Sequence, residues 1–449
     1  MDNQNALPRQ PDADSPAWAA LPGETPKIPF VTGWPDRVFA LVFFGLGYFY
    51  IRHGFLVPDR WKIGLFTMAY AAAVLGYFSL KKVRILKFSW FWFGALVSLG
   101  LSFSLFRNES LLGFDTLILH GLAIYWPICA AGILLRGVTS SLLPFDLVNG
   151  VFVLPFGNFA AQVRCVFCGW RRKDAAGAGK RVLTVLLGVL LLFALLLLVV
   201  PQLCHADAAF EKALASLAER LSEIHFKLDF SLLLSLPVGA YLYGLAYGCA
   251  NRRHSNHIRL ESLTELGRDA RMIPNEALYI ALGGLCVVYA FFIALQFSQL
   301  FSAFTGRLTG NGGYSEFARE GFFELCRVAA INGFALLGAD LVAKKGCGDC
   351  RALSLFNTQL AALTLLILAS AARKMLLYIQ VYGLTAKRVL TLAFMAMLSV
   401  LFGGIIVRRK KEFNFIRLAV IFAAALFCVL ALCNLDALIL AYNISHGFH

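Results

Sequence analysis

The sequence is short of charge. Asp, Glu, Lys and Arg make up 15% of its 449 residues, against about one quarter in an ordinary soluble domain, while 59% are apolar. That balance excludes a soluble globule. Acidic residues are the scarcer sign, 26 against 41 Lys and Arg, for a net charge of +15. The excess does not describe a nucleic-acid binder, because the basic residues come in short clusters between long apolar runs and do not cover one surface. G-x-x-x-x-G-K-[ST], H-E-x-x-H and G-x-S-x-G are all missing, and the loops are too short for a kinase or nucleotidase domain. ATP hydrolysis within this chain is therefore not expected. No internal repeat stands out, which weighs against the inverted-repeat transporters.

Proline is sparse after the first 36 residues, which hold Pro8, Pro11, Pro16, Pro22, Pro26, Pro29 and Pro35 among Asp, Asn, Gln and Ala. Such a stretch cannot bury a core, so residues 1–36 are expected to be a disordered cytoplasmic tail that links or docks. It shows no basic segment followed by an apolar run and a small-residue cleavage site. Insertion then falls to the first membrane helix.

What is abundant is apolar runs near the roughly 20 residues that a helix needs to cross a bilayer. They lie near Val38–Val57, Ile63–Leu80, Trp90–Phe106, Asp115–Leu135, Val182–Val200, Phe230–Ala250, Ala277–Phe301, Gly321–Val342, Leu353–Ala372, Val389–Val407 and Phe415–Cys433. The predicted fold class is thus all-α, a polytopic integral membrane bundle of about eleven transmembrane helices over 37–449. The first run is the least clean, because Arg52 and His53 fall inside it.

Lys and Arg gather after every second run: Lys81, Lys82, Arg84 and Lys87; Arg164, Arg171, Arg172, Lys173, Lys180 and Arg181; Arg252, Arg253, Arg259, Arg268 and Arg271; Lys344, Lys345 and Arg351; Arg408, Arg409, Lys410 and Lys411. Positively charged loops stay in the cytoplasm, so the N-terminus is expected inside and the C-terminus outside. Two pieces interrupt the runs. On the outer side, 208–226 spaces Phe210, Leu214, Leu217, Leu221 and Ile224 as the apolar stripe of an amphipathic helix. On the inner side, 137–180 is broken by Pro144, Asp146, Asn149, Pro155 and Asn158 and is expected to lie at the interface.

The stretch most suggestive of chemistry is YSEFAREGFFELCR, Tyr314 to Arg327. Glu320, Glu324 and Arg327 share one helical face and enter the outer leaflet together, with Tyr314, Glu316 and Arg319 just before them. Ionisable groups at that depth mark either a functional site or a salt-bridge network that locks helices. The derived sidedness brings Arg373, Lys374 and Tyr378 to the same leaflet, along with Asn434, Asp436, Tyr442 and Asn443 near the C-terminus.

Three motifs in order, Y-x-E-x-x-R-x-G-F-x-E-L at 314–325, R-K-M-x-L-Y then Y-G-L-T at 373–385, and N-x-D-x-x-I-A-Y-N at 434–443, resemble a bacterial polytopic membrane family. It is catalogued as a domain of unknown function, number forty-one seventy-three, with a related group numbered forty-one fifty-three. The resemblance covers the last third to half of the chain, about 275–449. It implies a many-helix integral membrane protein and supplies no reaction or substrate. Its signature positions would be Tyr314, Glu316, Arg319, Gly321, Phe322, Glu324, Arg373, Tyr378, Gly383, Thr385, Asn434, Asp436, Tyr442 and Asn443.

Eleven cysteines include two C-x-x-C pairs, Cys165/Cys168 and Cys347/Cys350, both expected on the reducing side. They fit a structural zinc site, a redox dithiol favoured by neighbouring Arg and Lys, or plain cysteines at helix ends. No other cofactor is expected. His254 and His257 stand in an Arg-rich loop. His120 lies inside an apolar run, where it serves as a packing histidine or as a general base toward a lipid-side substrate. The expected role is a sensor or accessory component of an envelope system in the bacterial inner membrane, with lipid and a membrane or cytoplasmic protein as partners and no nucleic acid. A secondary transporter and a lipid-linked acyl or glycosyl transferase are the alternatives.

Overall fold

The computed structural model describes residues 30–55, 59–106, 111, 113–167, 230–255, 275–295, 322–342, 350–408, 410–411 and 413–448, with isolated positions between 188 and 216. The regular structure among them is helical: α1 Trp34–Tyr50, α2 Arg60–Leu80, α3 Ser89–Leu105, α4 Phe114–Ala130, α5 Leu143–Val148, α6 Leu154–Gly157, α7 Ala161–Phe167, α8 Phe230–Asn251, α9 Asn275–Leu295, α10 Phe322–Val342, α11 Cys350–Tyr382, α12 Ala386–Arg408, α13 Phe415–Leu432 and α14 Leu435–Ser445.

Seven stretches among the described residues are long and apolar enough to cross a membrane: Arg60–Leu80, Leu143–Phe167, Ser231–Asn251, Glu276–Leu295, Ala352–Tyr382, Ala386–Arg408 and Phe415–Leu432. Six fall on predicted runs. Ser89–Leu105 and Phe114–Ala130 are shorter apolar helices, and α10 is apolar over Arg327–Leu336. Most of the predicted run Val182–Val200 and most of the predicted amphipathic helix lie outside the described residues. The first helix begins at Trp34, inside the predicted tail, with Pro35 in its first turn where a missing N–H costs nothing. Arg52 and His53 fall in a π-helical turn, Ile51–Phe55, after that helix.

Contacts decide how the segment Leu143–Phe167 runs. Lys81 meets Asp36 at 3.1 Å, and Leu86 N donates to Ala130 O at 3.2 Å, so the start of α1 and the ends of α2 and α4 share one end of the bundle. Asp146 accepts from Leu135 N, just past α4, while Gln162 donates to Ala40 O and Cys165 lies 3.2 Å from the Tyr243 hydroxyl that donates to Asp36 O. Both ends of the segment therefore sit at the Trp34 end. It crosses the foot of the bundle instead of passing through it, as its prolines and Asn residues predicted.

Two proline breaks in this bundle are repaired by tyrosines. Proline removes the N–H that would bond the carbonyl four residues earlier. Pro127 in α4 thus frees Ala123 O, which accepts from the Tyr70 hydroxyl at 3.0 Å. Pro155 at the start of α6 frees Val151 O, which accepts from the Tyr241 hydroxyl at 3.0 Å. Helix approach is set by small residues: a Cβ on Gly47 of α1 would come 2.7 Å from Gly239 N of α8.

Two apolar cores result. One holds Phe43, Tyr70, Tyr77, Leu96, Leu99 and Trp126 from α1–α4 with Tyr243 and Tyr247 of α8; the other holds Leu282, Ala329, Leu360, Leu368 and Phe402 from α9–α12. Helix α13 packs on both α3 and α12, with Cys428 Sγ 3.7 Å from Ala95 O and the Arg417 guanidinium 4.2 Å from the Phe88 ring centroid. Gly404 of α12 abuts Phe415, which puts the end of α12 beside the start of α13. Lys81, Lys82, Arg84, Lys87, Arg164, Arg252, Arg253, Arg408, Lys410 and Lys411 of the basic clusters consequently gather at the Trp34 end.

Candidate functional site

At the opposite end of the second bundle, the sequence predicted that a helix stops at Ala372 and leaves Arg373 and Lys374 at its tip. The structure corrects this, because α11 runs unbroken for 33 residues and carries both inside it. Lys374 is 6% exposed. Tyr378 and Tyr382 follow on later turns, with ring centroids 4.9 Å apart. The chain then reverses through Gly383, Leu384 and Thr385, and Gly383 takes φ +76, a conformation that favours glycine.

This turn is clamped from two sides. Arg388 of α12 reaches back, its Nη1 donating to Tyr382 O at 2.9 Å and to Gly383 O, with its guanidinium 4.4 Å from the Tyr378 ring centroid. Asn443 of α14 donates from Nδ2 to Leu384 O at 3.0 Å and accepts from Leu384 N at Oδ1 at 2.7 Å. A carboxamide is the side chain that offers donor and acceptor side by side in this way. A Cβ on Gly383 would lie 2.7 Å from Asn443 Oδ1, so the glycine also makes room for the clamp. Asn434 turns the chain into α14 with φ +46, and Asp436 stands in the first turn of that helix. Tyr442 stacks on His446 at 4.1 Å.

Of the first motif, Tyr314, Glu316, Arg319 and Glu320 lie outside the described residues, and Glu324 is described as a backbone position in α10. Asn332 of α10 donates to Thr364 Oγ1 of α11 at 2.9 Å and accepts from the Tyr289 hydroxyl of α9 at 2.8 Å. Because α10 and α11 are antiparallel, stepping eight residues back from Asn332 and eight on from Thr364 brings position 324 level with 372. Arg327 is exposed on the same helix. The structure thus joins the second and third motifs by direct hydrogen bonds and brings position 324 of the first level with the start of the second.

Other candidate groups are apart from this turn. Cys165 is buried against Tyr243 in the first bundle, Cys168 and Cys347 lie outside the described residues, and Cys350 is described only as the first residue of α11. Among the described residues no three His, Cys, Asp or Glu side chains are placed to hold a metal. His120 uses both ring nitrogens: Nδ1 lies 2.6 Å from Thr116 O and therefore carries the proton, and Nε2 accepts from the Tyr50 hydroxyl at 2.7 Å. That is the geometry of a packing histidine.

Three polar groupings were not recognised as such in the sequence, although Asp146 and Asn149 were marked there as breaks in the apolar pattern. Asp36 is fully buried, accepting from Tyr77 at 2.6 Å, Lys81 at 3.1 Å and Gly33 N at 2.6 Å. Arg60 pairs with buried Asp115 at 2.7 Å and lies over the Phe103 ring at 4.6 Å. Asp146 and Asn149 are buried in the interrupted segment. A charged residue at the first turn of an apolar run was the one signal available for Asp36, Arg60 and Asp115.

A family model described as a domain of unknown function (DUF4153) matches residues 93–449. This is the second of the two groups that the motifs resemble, and the match begins within α3, far upstream of the motifs. No curated protein and no solved structure matches the chain.

Proposed function

We propose, for a chain that belongs to the DUF4153 family and carries several helices able to span a membrane, that it is a multi-pass sensor or accessory component of a bacterial envelope system without ATPase activity. It sits in the inner membrane with about eleven spans, its basic end and Pro-rich tail in the cytoplasm and its C-terminus outside. The clamp of Arg388, Gly383, Leu384 and Asn443 is the input site, with the buried Lys374 about two and a half turns before it on α11, and the basic end with the tail is the output. One observation carries this reading: α11 and α12 leave the clamp as unbroken helices and reach the opposite end. Whatever shifts the clamp shifts two rigid elements at once.

The test places photo-crosslinkers at Lys410 and Lys411 in cells, in the parent chain and in Asn443→Ala. The sensor reading expects a set of crosslinks that changes when the clamp is opened. Flux or lipid modification by the purified chain alone in proteoliposomes overturns it. The orientation is checked with a membrane-impermeant maleimide on intact cells, which is expected to label a cysteine placed at Ser445 and to spare one placed at Lys410.

A secondary transporter is the second reading, and the interrupted α5–α7 segment favours it, because transporters build their sites from discontinuous helices. Flux that disappears in Glu324→Gln would establish it. The transferase reading retains its outer carboxylates as candidate bases.

A further inference from the structure

Among the described residues three carboxylates are buried in the first bundle. Asp36 has Lys81 and Asp115 has Arg60. Asp146 in α5 is fully buried and accepts from Leu135 N through Oδ1 at 2.9 Å, but among the described residues no cation pairs with it, and its Oδ2 has no hydrogen-bond partner. Three residues on, at the start of the π-helical turn Asn149–Val153, Asn149 is 2% exposed and its Oδ1 is likewise without a partner. Residues three apart share a helix face, so two buried oxygens without a hydrogen-bond partner, one from a carboxylate and one from an amide, are carried on one side of this segment.

Among the described residues no cation forms an ion pair or hydrogen bond with this face. The Tyr125 hydroxyl is engaged with Thr139 Oγ1 at 2.8 Å, and Trp92 Nε1 donates to the same oxygen at 3.2 Å. Cys129 is a buried free thiol, and Gly150 lies against Ile124 and Ile128. Arg136 is exposed, and Arg417, whose charge reaches Tyr125 and Cys129, is stacked on Phe88 and forms no ion pair with Asp146. A buried carboxylate left charged and unpaired costs several kcal/mol, so the site calls for a positive occupant.

We propose that Asp146 Oδ2 and Asn149 Oδ1 are ligands of a bound sodium ion. Hard oxygen donors suit such a cation, and one carboxylate neutralises one monovalent charge, whereas a divalent ion would leave a net charge buried. The ion satisfies both orphaned oxygens at once and ties α5 to the π-helical turn after it. Since this turn lies across the foot of the first bundle, sodium is expected to stiffen the interrupted segment.

The experiment follows thermal unfolding of the full chain in nanodiscs by tryptophan fluorescence, in sodium chloride and in N-methylglucamine chloride at equal ionic strength. Saturating sodium is expected to raise the midpoint by roughly 2–4 °C. The rise disappears in Asp146→Asn, which keeps an oxygen for Leu135 N, and shrinks in Asn149→Leu. An equal response to both salts, or a midpoint that follows pH and ignores sodium, overturns the proposal in favour of water or a proton. If Asp146→Asn does not fold, radiolabelled sodium bound to the parent chain decides: binding displaced by unlabelled sodium supports the site, and no binding overturns it.

Discussion

In the first bundle, carboxylates and tyrosine hydroxyls bridge helices that are short, kinked or interrupted. In the second, the described polar contacts concentrate in the Tyr289–Asn332–Thr364 ladder and in the clamp on Leu384, and the helices run long and unbroken. The difference follows from where backbone groups are freed. A proline away from water leaves a carbonyl that must find a donor, and at Pro127 and Pro155 the donor comes from a neighbouring helix. Unbroken helices satisfy themselves, so in the second bundle polar side chains remain available for a site.

The largest expected effect tests the first half of that contrast. Asp36→Ala strips the partner from Lys81, the Tyr77 hydroxyl and Gly33 N together, and breaking a buried pair from one side costs about 3–5 kcal/mol. Asn332→Leu in the second bundle removes two bonds between neutral groups and is expected to cost about 1 kcal/mol. Equal losses in thermal unfolding of the two variants in nanodiscs would erase the distinction between the bundles.

Next in size is the clamp. Asn443→Leu leaves both Leu384 N and Leu384 O without their partners, for a loss of about 2 kcal/mol, whereas Asn443→Asp keeps the acceptor and loses the donor, for about half of that. If the clamp is the input site, Asn443→Asp also alters the crosslinks at the basic end. A purely structural clamp would lower stability and leave those crosslinks as they are. The same pair of readouts therefore separates packing from signalling.

How much of this was legible depends on the reach of each signal. The run Ile63–Leu80 predicted α2 because hydropathy and length suffice for a span, yet the charge of Arg60 and Lys62 made the run start too late. Arg60 belongs to the helix because Asp115, 55 residues away, neutralises it. In the same way Pro35 and Asp36 looked like tail, since the partner that buries Asp36 is Lys81, 45 residues on. Arg373 and Lys374 looked like a helix end, but long basic side chains lie along apolar surface without stopping the helix. Gly383 and Asn443 were both marked by the family resemblance, although nothing in the sequence showed that they meet. Local composition carried the class of fold and one end's charge; pairings across the bundle were out of its range.

The smallest effect is the sharpest test of the repair of helix breaks by tyrosines. Tyr70→Phe keeps the ring in its core and removes only the hydroxyl that serves Ala123 O, so the expected loss is about 1 kcal/mol. In a Pro127→Ala background the residue at 127 regains an N–H, and Ala123 O recovers a helical partner. Tyr70→Phe should then be close to neutral, and the double-mutant cycle should show a coupling of about the same size as the single loss. Tyr241→Phe with Pro155→Ala repeats the cycle at Val151 O. Losses of equal size with and without the proline would mean that the hydroxyls stabilise through something other than the freed carbonyls, and the first bundle would then owe its polar network to its carboxylates alone.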